Sequence, residues 1–233
     1  MQLIRKICLI VSYLIHKSSD SWSFQKSLWF NFKYMPFKEA IHLPILMSSS
    51  VQIRHCYRGC FKFTEGVRFG IVQIGYIDNN VNFTERSCLN IQGTVIIHGT
   101  GNHYFGGGLR LKVHKGAVVE FGNNLGVSNY ARINVAKRIT IGNDNMWSYE
   151  VNIMDTDSHL IFDETGKRIN PPKEVCIGNT VWLASKCTIL KGVSIPEGTI
   201  VAAGSIISKS ISETNCVVTS ESKIIRRNVR WTR

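Results

Sequence analysis

Ile177-Gly178-Asn179-Thr180-Val181-Trp182-Leu183-Ala184-Ser185 opens a stretch that runs on through Ile189-Leu190-Lys191-Gly192-Val193 to Val201-Ala202-Ala203-Gly204-Ser205-Ile206-Ile207-Ser208-Lys209. Within it Ile177, Leu183, Ile189, Ile195, Val201 and Ile207 recur every six residues without a miss. With Leu, Ile and Val at roughly a quarter of the chain, six such hits in a fixed register arise by chance on the order of three times in ten thousand. A period of six does not fit a helix, but it fits three strand alternations. Small and turn-forming residues fill the gaps: Gly178-Asn179, Ala184-Ser185, Gly192 and Pro196-Glu197-Gly198. A repeated short strand and turn is the mark of a solenoid, in which each coil buries its apolar side against its neighbours. A few ordinary buried strands would leave the period and its glycines unexplained.

At these residues the chain resembles the hexapeptide-repeat acyltransferases. The resemblance covers about Val113 to Trp231 and is strongest from Asp155 to Lys209. It implies an all-β fold, a left-handed parallel β-helix, and transfer of acetyl or other acyl groups from acyl-CoA. The left hand comes from the family alone, because parallel crossovers are otherwise right-handed. The branch it resembles O-acetylates sugars, including those of bacterial surface glycans.

Upstream, Phe121, Val127, Ile133 and Ile139 keep the six-residue beat, and a slip at Thr140 resets it to Ile141, Trp147 and Ile153. Between Val51 and Phe121 the repeat is ragged, carried by Val67/Phe69, Val72/Ile74, Ile91/Ile97 and Val113/Val119 with glycines between them. Coils of ~18 residues stacked ~4.8 Å apart then give about seven turns. Residues 1–50 differ in composition. Leu3, Ile7, Ile10, Val11 and Leu14 follow helical spacing among Arg5, Lys6, His16 and Lys17. The run Ile7–Ile15 is too short to span a bilayer, and no small-residue cleavage site follows it. Leu28 to Ile45 is aromatic and basic, broken by Pro36 and Pro44. The expected organisation is a short, mostly helical segment 1–50, followed by a β-helix domain 51–233 with a basic tail. The N-terminal segment has two readings: it caps the open end of the solenoid, or it lies on an anionic membrane surface.

Lys and Arg total 28 against 16 Asp and Glu, a formal charge of +12 that points to an anionic partner. No nucleic-acid module is visible and no Lys/Arg run reaches five, so nucleic acid is not expected. The seven cysteines lack framework spacing, which indicates reduced thiols and a cytoplasmic chain; the membrane reading of the N-terminal segment would set it at the inner membrane face. Cys187 sits at a repeat position that suits a small core residue.

Residues 154–174 break the repeat as an excursion between coils, and loops on rigid scaffolds are where chemistry gathers. The excursion resembles the family's protruding loop, whose histidine is the catalytic base; the matching residue is His159. Attack of a hydroxyl on a thioester needs a base that is free near neutral pH, which imidazole supplies. Asp155 and Asp157 orient the ring, contact sugar hydroxyls or are ordinary loop residues. The resemblance places the pantetheine arm of acetyl-CoA between subunits of a homotrimer. There Ser185 is the oxyanion donor through its N–H, Ala203 gives the arm room, and Trp182 packs near the site or covers core. Ser208 and Lys209 match the family's Thr-Lys at the CoA phosphates, and Arg226 and Arg227 belong to a basic tail suited to the nucleotide. The usual Gly-x-Pro-Ala is replaced by Ser220-Glu221-Ser222-Lys223. Asn129 matches an asparagine that holds the acceptor sugar, and equally reads as a turn residue.

His98, His103 and His114 offer a rival, since some left-handed β-helices bind zinc through three histidines. Their spacings are not multiples of the repeat, so no metal is expected. The reading is therefore an acyl-CoA-dependent O-acyltransferase acting on a sugar of a surface or capsular glycan, with His159 as base and direct transfer. The alternatives are N-acylation of an amino sugar and a non-catalytic solenoid scaffold.

Overall fold

The computed structural model describes residues 22–76 and 86–232. The Leu3–Leu14 segment lies outside the described residues. From Ile45 onward the chain winds through three sheets of nine, seven and six strands. Neighbouring strands pair in parallel throughout, except for the last strand of the nine-stranded sheet. We name the sheets by order of first use. The first face contains Ile45–Met47, Leu125–Val127, Met146–Trp147, Trp182–Leu183 and Ile200–Val201; the second contains Arg132–Val135, Asn152–Met154, Thr188–Ile189 and Ile206–Ile207; the third contains Arg138–Ile141, Val175–Ile177 and Ser194–Ile195. Seven strands on the second face correspond to seven turns of the solenoid.

The six-residue beat is the order of the faces. Ile177 and Ile195 stack on the third, Leu183 and Val201 on the first, and Ile189 and Ile207 on the second. All six side chains are buried. The slip at Thr140 has a simple cause: this coil is two residues longer than those after the loop, so Phe121 stacks on Ile141, twenty residues on, whereas Ile177 stacks on Ile195, eighteen on. Cys187 is fully buried, as its repeat position requires, and burial pushes its thiol up to about 11. The turn between the third and first faces is built on Gly122-Asn123, Gly142-Asn143 and Gly178-Asn179. Each asparagine Oδ1 accepts the N–H above it, Gly101 to Asn123, Asn123 to Asn143 and Asn143 to Asn179. A Cβ on Gly142 would sit 2.6 Å from the Gly178 carbonyl carbon, so coil spacing excludes a side chain there.

The first parallel strand, Ile45–Met47, precedes the break expected at residue 50, which therefore falls inside the first coil. Its outer edge would expose unpaired N–H and C=O groups. Helix α1 (Phe24–Tyr34), N-capped by Ser23 and ending before Pro36, covers it. Asn31 Nδ2 donates to Ile45 O at 2.7 Å, Asn31 Oδ1 accepts from Ile45 N–H, and Ser27 Oγ accepts from Met47 N–H. Two side chains of the helix thus act as the missing strand. Asn31→Ala strands both Ile45 groups, and a buried unsatisfied group costs about 1–3 kcal/mol. We expect the variant to lose about 2–5 kcal/mol in chemical denaturation; a loss below the error of the measurement would show that the edge needs no cap.

Candidate active site

The loop 154–174 leaves the second face after Met154 and rejoins the third at Val175. Asp155, fully buried, pins its root: its two carboxylate oxygens accept the N–H groups of Ala136 and Lys137 at 2.6 and 2.7 Å, and its carbonyl accepts from Lys173 N–H at the returning end. Both oxygens are spent on the coil, so Asp155 holds the loop and does not face a ligand. Asp157 pairs with Lys191 of the next coil. That hydrogen bond, and a second from Asn170 Nδ2, hold its carboxyl below the usual range.

Asn170 is the residue that sequence reading missed. Buried within the loop, it donates through Nδ2 to Asp157 Oδ2 at 2.9 Å and to His159 O at 2.8 Å, and accepts Ile161 N–H at 2.7 Å. His159 N–H donates to Asp157 O at 2.8 Å, and the side chain stands exposed. The backbone around His159 is therefore fixed at three points while its ring projects from the loop. Asp157 faces Lys191 and Asn170 rather than the imidazole. Asn170 lies eleven residues from His159, and no spacing rule signals such a clamp.

Ser185 and Ala203 stand one above the other at the turn from the first face to the second, joined by Gly204 N–H to Ser185 O at 2.8 Å. In the same column, one residue later, Tyr130, Glu150, Lys186 and Gly204 all adopt positive φ. This left-handed step turns the chain and presents the preceding peptide outward. Higher in the column Asn129, itself buried, caps the Gly107 N–H with its Oδ1 at 2.8 Å. Among the described residues nothing caps the N–H groups of Ser185 and Ala203 in that way. Asn129 is thus a turn residue by its carbonyl. A cavity of about 540 Å³ adjoins this turn, lined by Tyr130, Arg132, Glu150, Asn152, Lys186 and Thr188.

Ser208 and Lys209 lie exposed at the opposite turn, after Ile206–Ile207 and on the same side of the coil as the loop root. Glu221 and Ser222, both at positive φ, replace the family's turn; Ser222 Oγ donates to Lys209 O at 2.6 Å and fixes the path of the tail. The tail then runs back as an antiparallel strand, Lys223–Arg226. Arg226 is exposed, whereas Arg227 is engaged with Glu213 through two hydrogen bonds. Trp182 donates from Nε1 to Ser148 Oγ, and Trp231 of the tail lies against it at 6.1 Å between ring centroids.

The structure thus divides the sequence-derived residues. Asn129, Trp182, Ser185 and Ala203 gather at the first turn, and Asp155, Asp157, His159, Ser208 and Lys209 at the second, with the whole second face between. The three other histidines do not meet. His103 points into the core with Nε2 on Gly122 O, and burial lowers its pKa; His98 meets Glu120, and His114 meets Asn134. Among the described residues no three His, Cys, Asp or Glu side chains gather as a metal site.

No protein-family model matches the chain. A putative lipopolysaccharide biosynthesis O-acetyl transferase of Escherichia coli is 30% identical over 158 residues, which are 61% of this chain and 80% of that protein. The chain belongs to the hexapeptide-repeat O-acetyltransferase family. This acetyltransferase is also 35% identical over 120 residues to a polysialic acid O-acetyltransferase of Neisseria meningitidis, covering half of the present chain and 55% of that relative. Among solved structures, a polySia-specific acetyltransferase superposes with a TM-score of 0.50 at 23% identity, over 78% of this chain and 84% of that one, and shows the shared fold. That fold is the left-handed parallel β-helix. Among the described residues of this acetyltransferase, no helix is long and apolar enough to cross a membrane.

Proposed function

We propose that this acetyltransferase moves an acetyl group from acetyl-CoA to a hydroxyl of a sugar in a surface or capsular glycan or its precursor, within a homotrimer. One observation carries the reading: the exposed, backbone-clamped His159 and the open N–H pair of Ser185 and Ala203 lie on neighbouring coils but at opposite ends of the second face. One chain cannot bring them to a single thioester. A ring that sets the loop of one copy against the Ser185 turn of the next can, and a head-to-tail contact that closes by rotation gives such a ring. Leu160, Ile161, Phe162 and Ile169 on the loop are exposed apolar side chains suited to that contact.

In this site the His159 imidazole takes the proton of the acceptor hydroxyl, and the oxygen attacks the thioester carbon. The oxyanion rests on the Ser185 N–H. The intermediate then expels the thiolate, which takes that proton back from the His159 imidazolium and leaves as free CoA, restoring the base with no acyl-enzyme formed. Lys209 and Ser208 hold CoA phosphates, with Arg226 from the tail; Arg227 reaches them only by leaving Glu213. On this reading the enzyme works at the inner face of a membrane, where such a glycan is assembled.

The test is transfer of label from acetyl-labelled CoA to glycan, followed by mild alkali. An O-ester releases the label, whereas an amide keeps it. Alkali-stable label would move the acceptor to an amino sugar, and absence of transfer to any glycan hydroxyl would overturn the assignment.

A further inference from the structure

Fourteen large apolar side chains stand exposed among the described residues, and ten fall in two stretches. One is the loop tip already assigned to the subunit contact. The other comprises Phe24, Leu28, Trp29, Phe32, Phe37 and Ile41, at the far end of the solenoid from the loop.

This second patch follows from how α1 is used. Its Ser27 and Asn31 face inward, because they carry the edge hydrogen bonds of Ile45–Met47. Phe24, Leu28 and Phe32, four residues apart, and Trp29 beside them are left on the outside. The helix buries Ser27 and Asn31 together with Phe30 and Tyr34 on its inner face, and still carries a second row of apolar and aromatic side chains on its outer face, which the usual surface helix leaves polar. The Phe32 ring meets Phe37 at 6.0 Å, which joins the patch to the short helix α2 (Phe37–Ala40). Monomers rarely leave such a contiguous patch unused.

The charges at its rim identify the partner. Lys33 Nζ lies 4.6 Å from the Trp29 ring centroid, and Lys38 is exposed beside Phe37. The one acid of this stretch, Glu39, has Oε2 buried without a partner among the described residues, and burial raises its pKa toward the neutral form. Aromatic rings with a lysine rim fit the boundary of a bilayer, where rings sit at headgroup level and ammonium groups meet lipid phosphates.

We infer that the Phe24–Ile41 surface seats this acetyltransferase on a bilayer carrying anionic lipid. The inference gives residues to the membrane placement proposed above and does not depend on the acyl-transfer chemistry.

The experiment is co-sedimentation of the full chain with vesicles of phosphatidylcholine, with and without phosphatidylglycerol. The full chain should pellet with the anionic vesicles. Partitioning should fall about tenfold or more in Trp29→Gln/Phe32→Gln and in Lys33→Gln/Lys38→Gln, and hold in Leu160→Gln/Ile161→Gln. All six positions are exposed, so unchanged thermal unfolding should accompany the loss. Absence of pelleting, or equal pelleting by the helix variants, would overturn the inference. So would a concentration-dependent doubling of mass in light scattering that the helix variants abolish, because the patch would then join copies of the protein. Acetyl transfer to a soluble acceptor should survive in the helix variants, which separates failure here from failure of the chemistry.

Discussion

Replacing His159 with alanine is expected to cut turnover by about 10²–10⁴-fold and to leave the KM for acetyl-CoA near its wild-type value. That range is what a positioned general base contributes. The variant is informative because its fixings are backbone ones: Asp157 O receives its N–H and Asn170 Nδ2 binds its carbonyl, and alanine keeps both. The loop root at Asp155 is likewise untouched. Loss of turnover then reads the imidazole and not a collapsed loop. Lys209→Ala should show the opposite split, a raised KM with kcat largely kept, since on the proposed reading its ammonium meets a CoA phosphate and takes no part in the proton transfer. A His159→Ala enzyme that keeps more than about a tenth of wild-type turnover, with chemistry rate-limiting, would mean that another group is the base.

The solenoid was legible where its constraints are uniform. Between Ile177 and Ile207 every sixth residue faces the core, because the coils there carry no insertion and stack Ile177 on Ile195, Leu183 on Val201 and Ile189 on Ile207. The beat blurs around Thr140 because two extra residues set Phe121 on Ile141 rather than on Ile139, and before Phe121 because the coils are longer still, with Ile97 stacked on Phe121. The first strand was hidden for another reason. Ile45–Met47 gains its edge partner from Ser27 and Asn31 of a helix, and nothing in a repeat pattern announces that substitution.

In the site, the loop histidine was visible as a break in periodicity, whereas the residues that hold it were not. Asp155 and Asp157 look alike in sequence. The stacking of coils gives one to the amides of Ala136 and Lys137 and the other to Lys191. Asn170 acts only through the folded shape of the loop. Arg227 read as a phosphate ligand by its charge, but the returning tail sets it beside Glu213, which a count of basic residues cannot foresee.

Co-expression of His159→Ala with Ala203→Trp is expected to rescue activity that neither variant has alone. A tryptophan at the exposed Ala203 fills the space over Ser185, where the proposed site lays the thioester arm, so this variant should lose the groove and keep the base. The other variant loses the base and keeps the groove. If loop and groove belong to one chain, every subunit of a mixed population is broken and activity stays at background. If each site joins the loop of one copy to the Ser185 turn of the next, the arithmetic of a three-membered ring applies. Any mixed ring has one junction with an intact loop facing an intact groove, one with both broken and one of uniform kind. Rings purified through a different tag on each variant should then show about one third of wild-type turnover at an unchanged acetyl-CoA KM. The fraction is the same whether two copies of one variant or of the other are present, so it does not depend on expression ratio. Doubly tagged rings that form intact and remain inactive would place the base and the groove on the same chain. Failure to recover any doubly tagged species would remove the ring itself. The exposed Leu160, Ile161 and Phe162 supply a second reading of the same contact: polar substitutions there should lower the yield of mixed rings without altering the fold of the separate chain, as expected of a contact made only between copies.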